Sequence, residues 1–342
     1  MTASLKFANS GAAVRRLLAA ALLPAMLALL PPVASAAAAA VRFQLDGVIG
    51  LGAATRWDLA IVDPDTGRAF VALGDHVAVA DTRSHALIGR IDGVDGAHGI
   101  AIDAQHKLGF IASGKANAIV TFELDSLKVL RTTPAGGQNP DVLLFLPGTG
   151  KLYSFNGKSR DMTVIDPLSG AVQARLALPG KPELAAGDAD HIWVNLEDVH
   201  QLVQIDARAN VVQRVSDLAG CEEPTGLDYD RAHGRLFSAC ANGMLVVTAS
   251  ADGRAIAQLP IGKGPDGLQY DGARGLLLVP NGGSGNLTVI QQDDADHYRV
   301  VQTLPTAAKA RTIAYDAQSG TAWLPAPGAS EFGLIAVVPA QP

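Results

Sequence analysis

Four acidic residues and one histidine recur along this chain at a near-constant interval: Asp58, His98, Asp141, Glu183 and Asp266. Thr225 and Thr312 hold the two remaining places in the series. Successive members stand 40 to 46 residues apart, about 42 on average. Gathered at one place, such groups have two chemical outlets. Two like charges ~8 Å apart at an effective dielectric of ~20 repel by ~2 kcal/mol, so four facing carboxylates call for a cation, a proton or arginines. Carboxylates with one imidazole make a candidate metal set (Asp58, His98, Asp141, Glu183, Asp266) for Ca²⁺, Mg²⁺, Mn²⁺ or Zn²⁺. The plainer alternative is a solvated rim whose acids cap turns; Asp141, Glu183 and Asp266 each follow a proline, an ordinary turn pairing.

Other chemistry is sparse. Arg56 and Arg311 stand beside the series, Trp57 precedes Asp58, and Glu222 and Glu223 fall in the loop before Thr225, so all five are ligand or rim candidates. No catalytic residue is assigned. There is no Gly-x-Ser-x-Gly turn, no His-Glu-x-x-His and no Cys-x-x-Cys. Pro147–Lys151 lacks the first glycine and the hydroxyl residue of a phosphate loop. Of the eight histidines only His98 shares the series with the acids.

The interval itself defines the elements that must position these residues. Each series member precedes a short β-rich run such as Leu59–Val62, Gly99–Ile102 or Val142–Phe145. A turn rich in Asp, Gly and Pro follows, then a second and a third apolar run and a weaker fourth. Seven such units predict an all-β fold, a seven-bladed β-propeller of four-stranded antiparallel blades over residues 41–338. Six blades, eight blades or two stacked sandwiches are the rivals. The seventh unit ends after three strands, while Val41–Leu45 is a spare strand at the start. Its pairing with the last blade would close the ring and remove two open edges. The first strand of each blade would then line a central channel, with the series at its mouth. Cys221, before the first strand of the fifth unit, and Cys240, at the end of its second, become neighbours and predict a disulfide.

Two units carry a resemblance. Leu152–Asn156 followed by Met162–Asp166, and Ile192–Asn195 followed by Leu202–Asp206, resemble the YVTN family of β-propeller repeats. Phe110–Ser113 and Leu236–Cys240 keep the pattern without the letters. The resemblance spans about residues 41 to 338 and implies the propeller fold and an extracytoplasmic setting. It assigns no activity; related propellers include lactone hydrolases, electron-transfer domains and a DNA-contacting periplasmic protein.

Residues 1–36 read as a signal peptide: Lys6, Arg15 and Arg16, an apolar run over 17–30, then Ala34-Ser35-Ala36. The run is shorter than the ~20 residues of a membrane span. Cleavage near Ala36, by the general secretory or the twin-arginine route, would deliver a periplasmic or secreted protein with a short tail at 37–40 and another at 339–342. It would keep 24 basic residues against 33 acidic ones, a net charge of about −9. That balance argues against nucleic acid, and no apolar run of the mature chain suits a membrane anchor. The expectation is a monomeric, exported, non-catalytic binding or scaffold protein whose face takes a protein or small ligand. The alternatives are a metal-dependent lactone or ester hydrolase with its ion in the channel, and a docking partner of a periplasmic redox protein.

Overall fold

The computed structural model describes residues 41–54 and 56–340. The expected signal peptide and the 37–40 tail lie outside the described residues. Seven four-stranded antiparallel sheets follow one another along the chain. Blade 3 is typical, with strands Pro140–Leu146, Lys151–Asn156, Asp161–Ile165 and Val172–Ala177. The middle strands are buried almost throughout because neighbouring blades cover both faces. The fourth strands alternate exposed and half-buried residues, as in Val211–Asp217, because they form the outer rim. That alternation is why they are the weakest sequence signal. Among the described residues the only helical element is a 3₁₀ turn, Glu197–Val199, and no helix is long and apolar enough to cross a membrane.

The repeated letters have local jobs. Asp63, Asp230, Asp271 and Asp316 each end a first strand and accept the backbone N–H two residues on, at 2.9–3.1 Å. Asn156 ends a second strand and donates through Nδ2 to Asp161 Oδ1 at 2.7 Å and Thr163 Oγ1 at 2.9 Å. Asn281 makes the matching bonds to Asn286 and Thr288 in blade 6, both at 2.9 Å. These bonds engage the buried Nδ2 groups and tie strand 2 to strand 3.

Closure occurs through the N-terminal strand, as expected, but over a longer stretch. Phe43–Gly52 pairs antiparallel with Phe332–Pro339, and the sheet runs outward from Ala314–Asp316 through Thr321–Pro327. The strand continues through Asp46-Gly47, beyond the expected end at Leu45. A register shift between Leu45 and Gly47, with Gly47 at φ 124°, absorbs the glycine as a bulge.

Cys221 and Cys240 form a disulfide, with Cα atoms 5.4 Å apart. Both are buried, and Cys240 lies opposite Pro224 in the sheet. The bridge closes 19 residues of sequence separation, which the chain-entropy account values at ~3 kcal/mol. A Cys221→Ser, Cys240→Ser double variant should therefore melt about 6 °C or more below the oxidised protein by scanning calorimetry. An unchanged melting temperature would show that the loop is held by its other contacts.

Candidate metal centre at the channel mouth

The first strands of neighbouring blades lie side by side around the axis, and small residues allow them to approach. Gly99 follows His98 where a β-carbon would stand 2.5 Å from the Asp141 carbonyl oxygen and 2.8 Å from Leu143 N. The bare glycine lets Ala97–Asp103 meet Pro140–Leu146, which sets His98 beside Asp141. Gly114 makes the second allowance: a β-carbon there would fall 2.6 Å from His98 Cδ2. The two threonines of the series stitch blades together. Thr225 Oγ1 donates to Pro265 O at 2.8 Å, and Thr312 Oγ1 donates to Asp58 O at 3.0 Å.

Asp58, His98 and Asp141 converge, their ligand atoms all within 4.8 Å of one another. His98 Nδ1 lies 2.5 Å from Asp58 Oδ2 and 3.4 Å from Asp141 Oδ1. These side chains are only 14–18% exposed. Donors bound to one ion are separated by at most about twice a bond of 2.0–2.5 Å, so the spacing fits a single cation. The Asp58–His98 contact is too short for two ligand atoms of one ion. Binding would part them and expel the proton they share.

The five-residue metal set divides here. Glu183 and Asp266 line the same cavity, of about 350 Å³, but each is taken by a cation of the chain. Lys181 Nζ lies 2.8 Å from Glu183 and bonds also to Glu197; Arg311 Nε donates to Asp266 Oδ2 at 2.7 Å. Arg56 also lines the cavity. Trp57 stands behind it, 5.2 Å from Phe332, and carries the Arg311 guanidinium 4.9 Å above its ring. Glu222 and Glu223 are exposed and do not line the cavity; the Glu223 N–H donates to His200 Nδ1 at 3.0 Å. Lys115, Asn139, Lys181 and Glu197 also line the mouth, unforeseen from the sequence. Glu197 had a signal, since it follows a second strand where blades 2, 3 and 6 place glycine.

Five carboxylates line the cavity, Asp58, Asp141, Glu183, Glu197 and Asp266, together with Arg56, Lys115, Lys181 and His98, and Arg311 reaches Asp266. Burial pushes the Asp266 carboxyl up to about 7, helped by Asp58 and against the pull of Arg311. Burial likewise raises Asp141, with Asp58 adding to it, and raises Glu183, with Asp141 adding to it. For His98, burial pulls downward, but the Asp58 hydrogen bond and the charges of Asp141 and Asp58 outweigh it, and the net shift is up. Lys181 is also raised: burial opposes its charge, and Glu183 and Glu197 more than compensate. Lys181 stays protonated between Glu183 and Glu197 and also pulls Asp141 and Glu183 downward, but burial outweighs that pull at both acids.

No protein-family model and no curated protein sequence matches the chain. Solved structures do. A chain of the Mitotic Checkpoint Complex superposes with a TM-score of 0.75 at 13% identity, covering 95% of this chain and 99% of that one. Kuenenia stuttgartiensis Hydrazine Synthase gives 0.73 at 12% identity, with 87% and 97% covered. The RRP9 WD40 repeats give 0.70 at 12%, with 89% and 98% covered. At such identities the likeness is one of fold.

The burial and crowding of these carboxylates set a sign for pH dependence. Asp141, Glu183 and Asp266 keep their protons to higher pH in the folded protein than in the unfolded chain, where carboxylic acids titrate near 4. Stability is therefore lost as pH rises from about 4 through the folded values. The raised His98 acts in the same direction: its contribution is complete below about 6.5 and fades as pH passes its folded value. Metal-stripped protein should melt lower at about pH 8 than at about pH 5, and Mn²⁺ or Zn²⁺ should restore more stability at the higher pH. A melting temperature flat or rising over that range would contradict the crowded-acid account.

Proposed function

We propose that this propeller holds a divalent cation at its channel mouth and hydrolyses a small ester or lactone there. The observation that carries the reading is the convergence of Asp58, His98 and Asp141 within 4.8 Å. An imidazole with two carboxylates suits Zn²⁺ or Mn²⁺ better than Ca²⁺ or Mg²⁺, which prefer all-oxygen shells. A bound ion would polarise the acyl carbonyl and acidify a water. Asp266 supplies the proton traffic. Its carboxyl, pushed up to about 7, can accept a proton from water and return it to the departing alkoxide at neutral pH. Arg311, paired with Asp266 and seated on Trp57, fixes the direction of that carboxylate. The water oxygen bonds to the acyl carbon, the acyl C–O bond breaks, and the proton finishes on the alcohol.

The non-catalytic binding or scaffold reading places a protein or small ligand on the propeller face and the same channel mouth, and needs neither a cation nor turnover. The likeness to a Hydrazine Synthase chain is one of fold and adds no weight to redox docking. We infer that the repeats are of the YVTN type, supported by the matching bonds of Asn156 and Asn281, and that the protein works outside the cytoplasm as a monomer.

His98→Ala should weaken Mn²⁺ or Zn²⁺ binding at least about tenfold by calorimetric titration. Asp266→Asn should leave that affinity within a factor of about two yet lower kcat on a responsive ester or lactone by about 100-fold. Cation binding without turnover across an ester and lactone panel would return the protein to the non-catalytic class. Absence of cation binding would remove both the ion and the hydrolysis.

A further inference from the structure

The turn between the second and third strands carries lysine in two consecutive blades, as Gly114-Lys115 in blade 2 and Gly157-Lys158 in blade 3. The backbone is held alike in both. Lys115 N–H donates to Asp95 O at 3.1 Å and Lys158 N–H to Gln138 O at 3.2 Å, each acceptor three residues before a member of the acidic series. Blade 6 repeats the bond with Gly283 N–H to Lys263 O at 3.0 Å. The fold therefore requires the turn and leaves its side chain open.

Lys115 and Lys158, with Lys181, Asn117 and Asn139, line a hollow of about 490 Å³. It adjoins the metal cavity, and Lys115, Asn139 and Lys181 form walls of both. No carboxylate lines it among the described residues. Lys181 is shared between Glu183 and Glu197, and Lys115 has only a loose, exposed contact of 3.5 Å with Asp95. Lys158 is exposed and makes no ion pair among the described residues. The backbone N–H of Asn139 is engaged by Asn117 Oδ1 at 2.7 Å, whereas its side-chain amide has no hydrogen-bond partner among the described residues. In a chain with an excess of acids, three ammonium groups around one hollow are a local reversal of sign.

We propose that this hollow is an oxyanion subsite, taking the carboxylate or phosphate of a small ligand whose adjoining part reaches the Asp58–His98–Asp141 triad. Its place in a substrate rests on the cation reading above; anion binding itself does not. Lys115 and Lys158 supply charge, and the Asn139 amide, on the border, donates to the part of the ligand that crosses between the cavities. Asp141, Glu183 and Glu197 next door oppose an anion, so a cation in the triad strengthens anion binding, and by linkage the anion strengthens cation binding.

The test is calorimetric titration of metal-stripped protein with succinate at low salt, repeated after Mn²⁺ is added, with no turnover read. Saturable binding is expected in both states, several-fold tighter with Mn²⁺. Lys158→Ala should weaken it about threefold and Lys115→Ala, Lys158→Ala about tenfold. Lys263→Ala, a lysine of blade 6 outside the hollow, should leave it unchanged. No saturation up to about 50 mM, or an equal loss in Lys263→Ala, overturns the subsite. Binding that Mn²⁺ fails to strengthen overturns its coupling to the triad. Saturable, lysine-dependent succinate binding in a protein that takes no Mn²⁺ upholds the subsite and removes the cation reading alone.

Discussion

The three ligand candidates come from three consecutive blades, Asp58 from the first, His98 from the second and Asp141 from the third, so their spacing depends on the curvature that the closed ring fixes. Closure rests on one strand pairing, Phe43–Gly52 against Phe332–Pro339, with eight residue pairs in register around its bulges. An open propeller would leave two unpaired sheet edges and let the first and last blades part. At the axis, the Thr312 hydroxyl on the Asp58 carbonyl repeats the same closure from within. Asp58 is thus held from both directions, by its own blade through the 3.0 Å bond from its N–H to Ala72 O and by the seventh. Asp58 keeps its distances to His98 and Asp141 under that constraint.

Within the ring, the balance of charge decides which acids remain available. Asp266 and Glu183 have cationic partners, Arg311 and Lys181. Asp58 and Asp141 have only His98 between them, at 2.5 and 3.4 Å. Arg56, in the same wall, and Lys181 contact neither carboxylate, though Lys181 acts on Asp141 through space. Burial strengthens these interactions, because water screens less there. The geometry that gathers the triad therefore leaves its two carboxylates with His98 as their one contacting cationic partner among the described residues, which makes them the acids most open to a cation.

The fold was legible in the sequence because a repeat states the same packing problem seven times. An error in one unit is corrected by the others: the rough fourth unit, with its Asp188–Asp190 turn, still gives strands Pro182–Gly187 and His191–Leu196. The cysteine pairing followed from that register. The extent of the closing strand did not, because Asp46-Gly47 reads as a strand end and Gly47 becomes a bulge only once the last blade lies beside it. The site was half legible. Period placed Asp58, His98 and Asp141 on one ring, but it could not say that Arg311 and Lys181 would withdraw two of the five ligands. Lys181 precedes Glu183 by two residues, so it was in view, yet the direction of its ammonium depends on Glu197 from a different loop. Glu222 and Glu223 point away for a similar reason: the disulfide anchors their loop, and His200 of blade 4 takes the Glu223 backbone outward.

In a repeat fold, chemistry is written in the departures from the pattern. The consensus letters are spent on architecture, as with the turn-closing aspartates and the strand-tying asparagines. What remains is the set of places where equivalent backbones carry different side chains. Two residues before the acidic series, the seven blades carry Arg56, Gly96, Asn139, Lys181, Glu223, Gly264 and Ala310, four of them (Gly96, Asn139, Glu223 and Gly264) at positive φ. Glycine and alanine there show that no side chain is needed for folding. Asn139 and Lys181 stand in adjacent blades beside the triad, next to the lysine turns of blades 2 and 3. The lysines of blades 2, 3 and 4, with Asn139 between the two cavities, sit at positions the fold leaves free and border the triad, which is what a ligand with an anionic group beside a cation-bound reacting centre would demand.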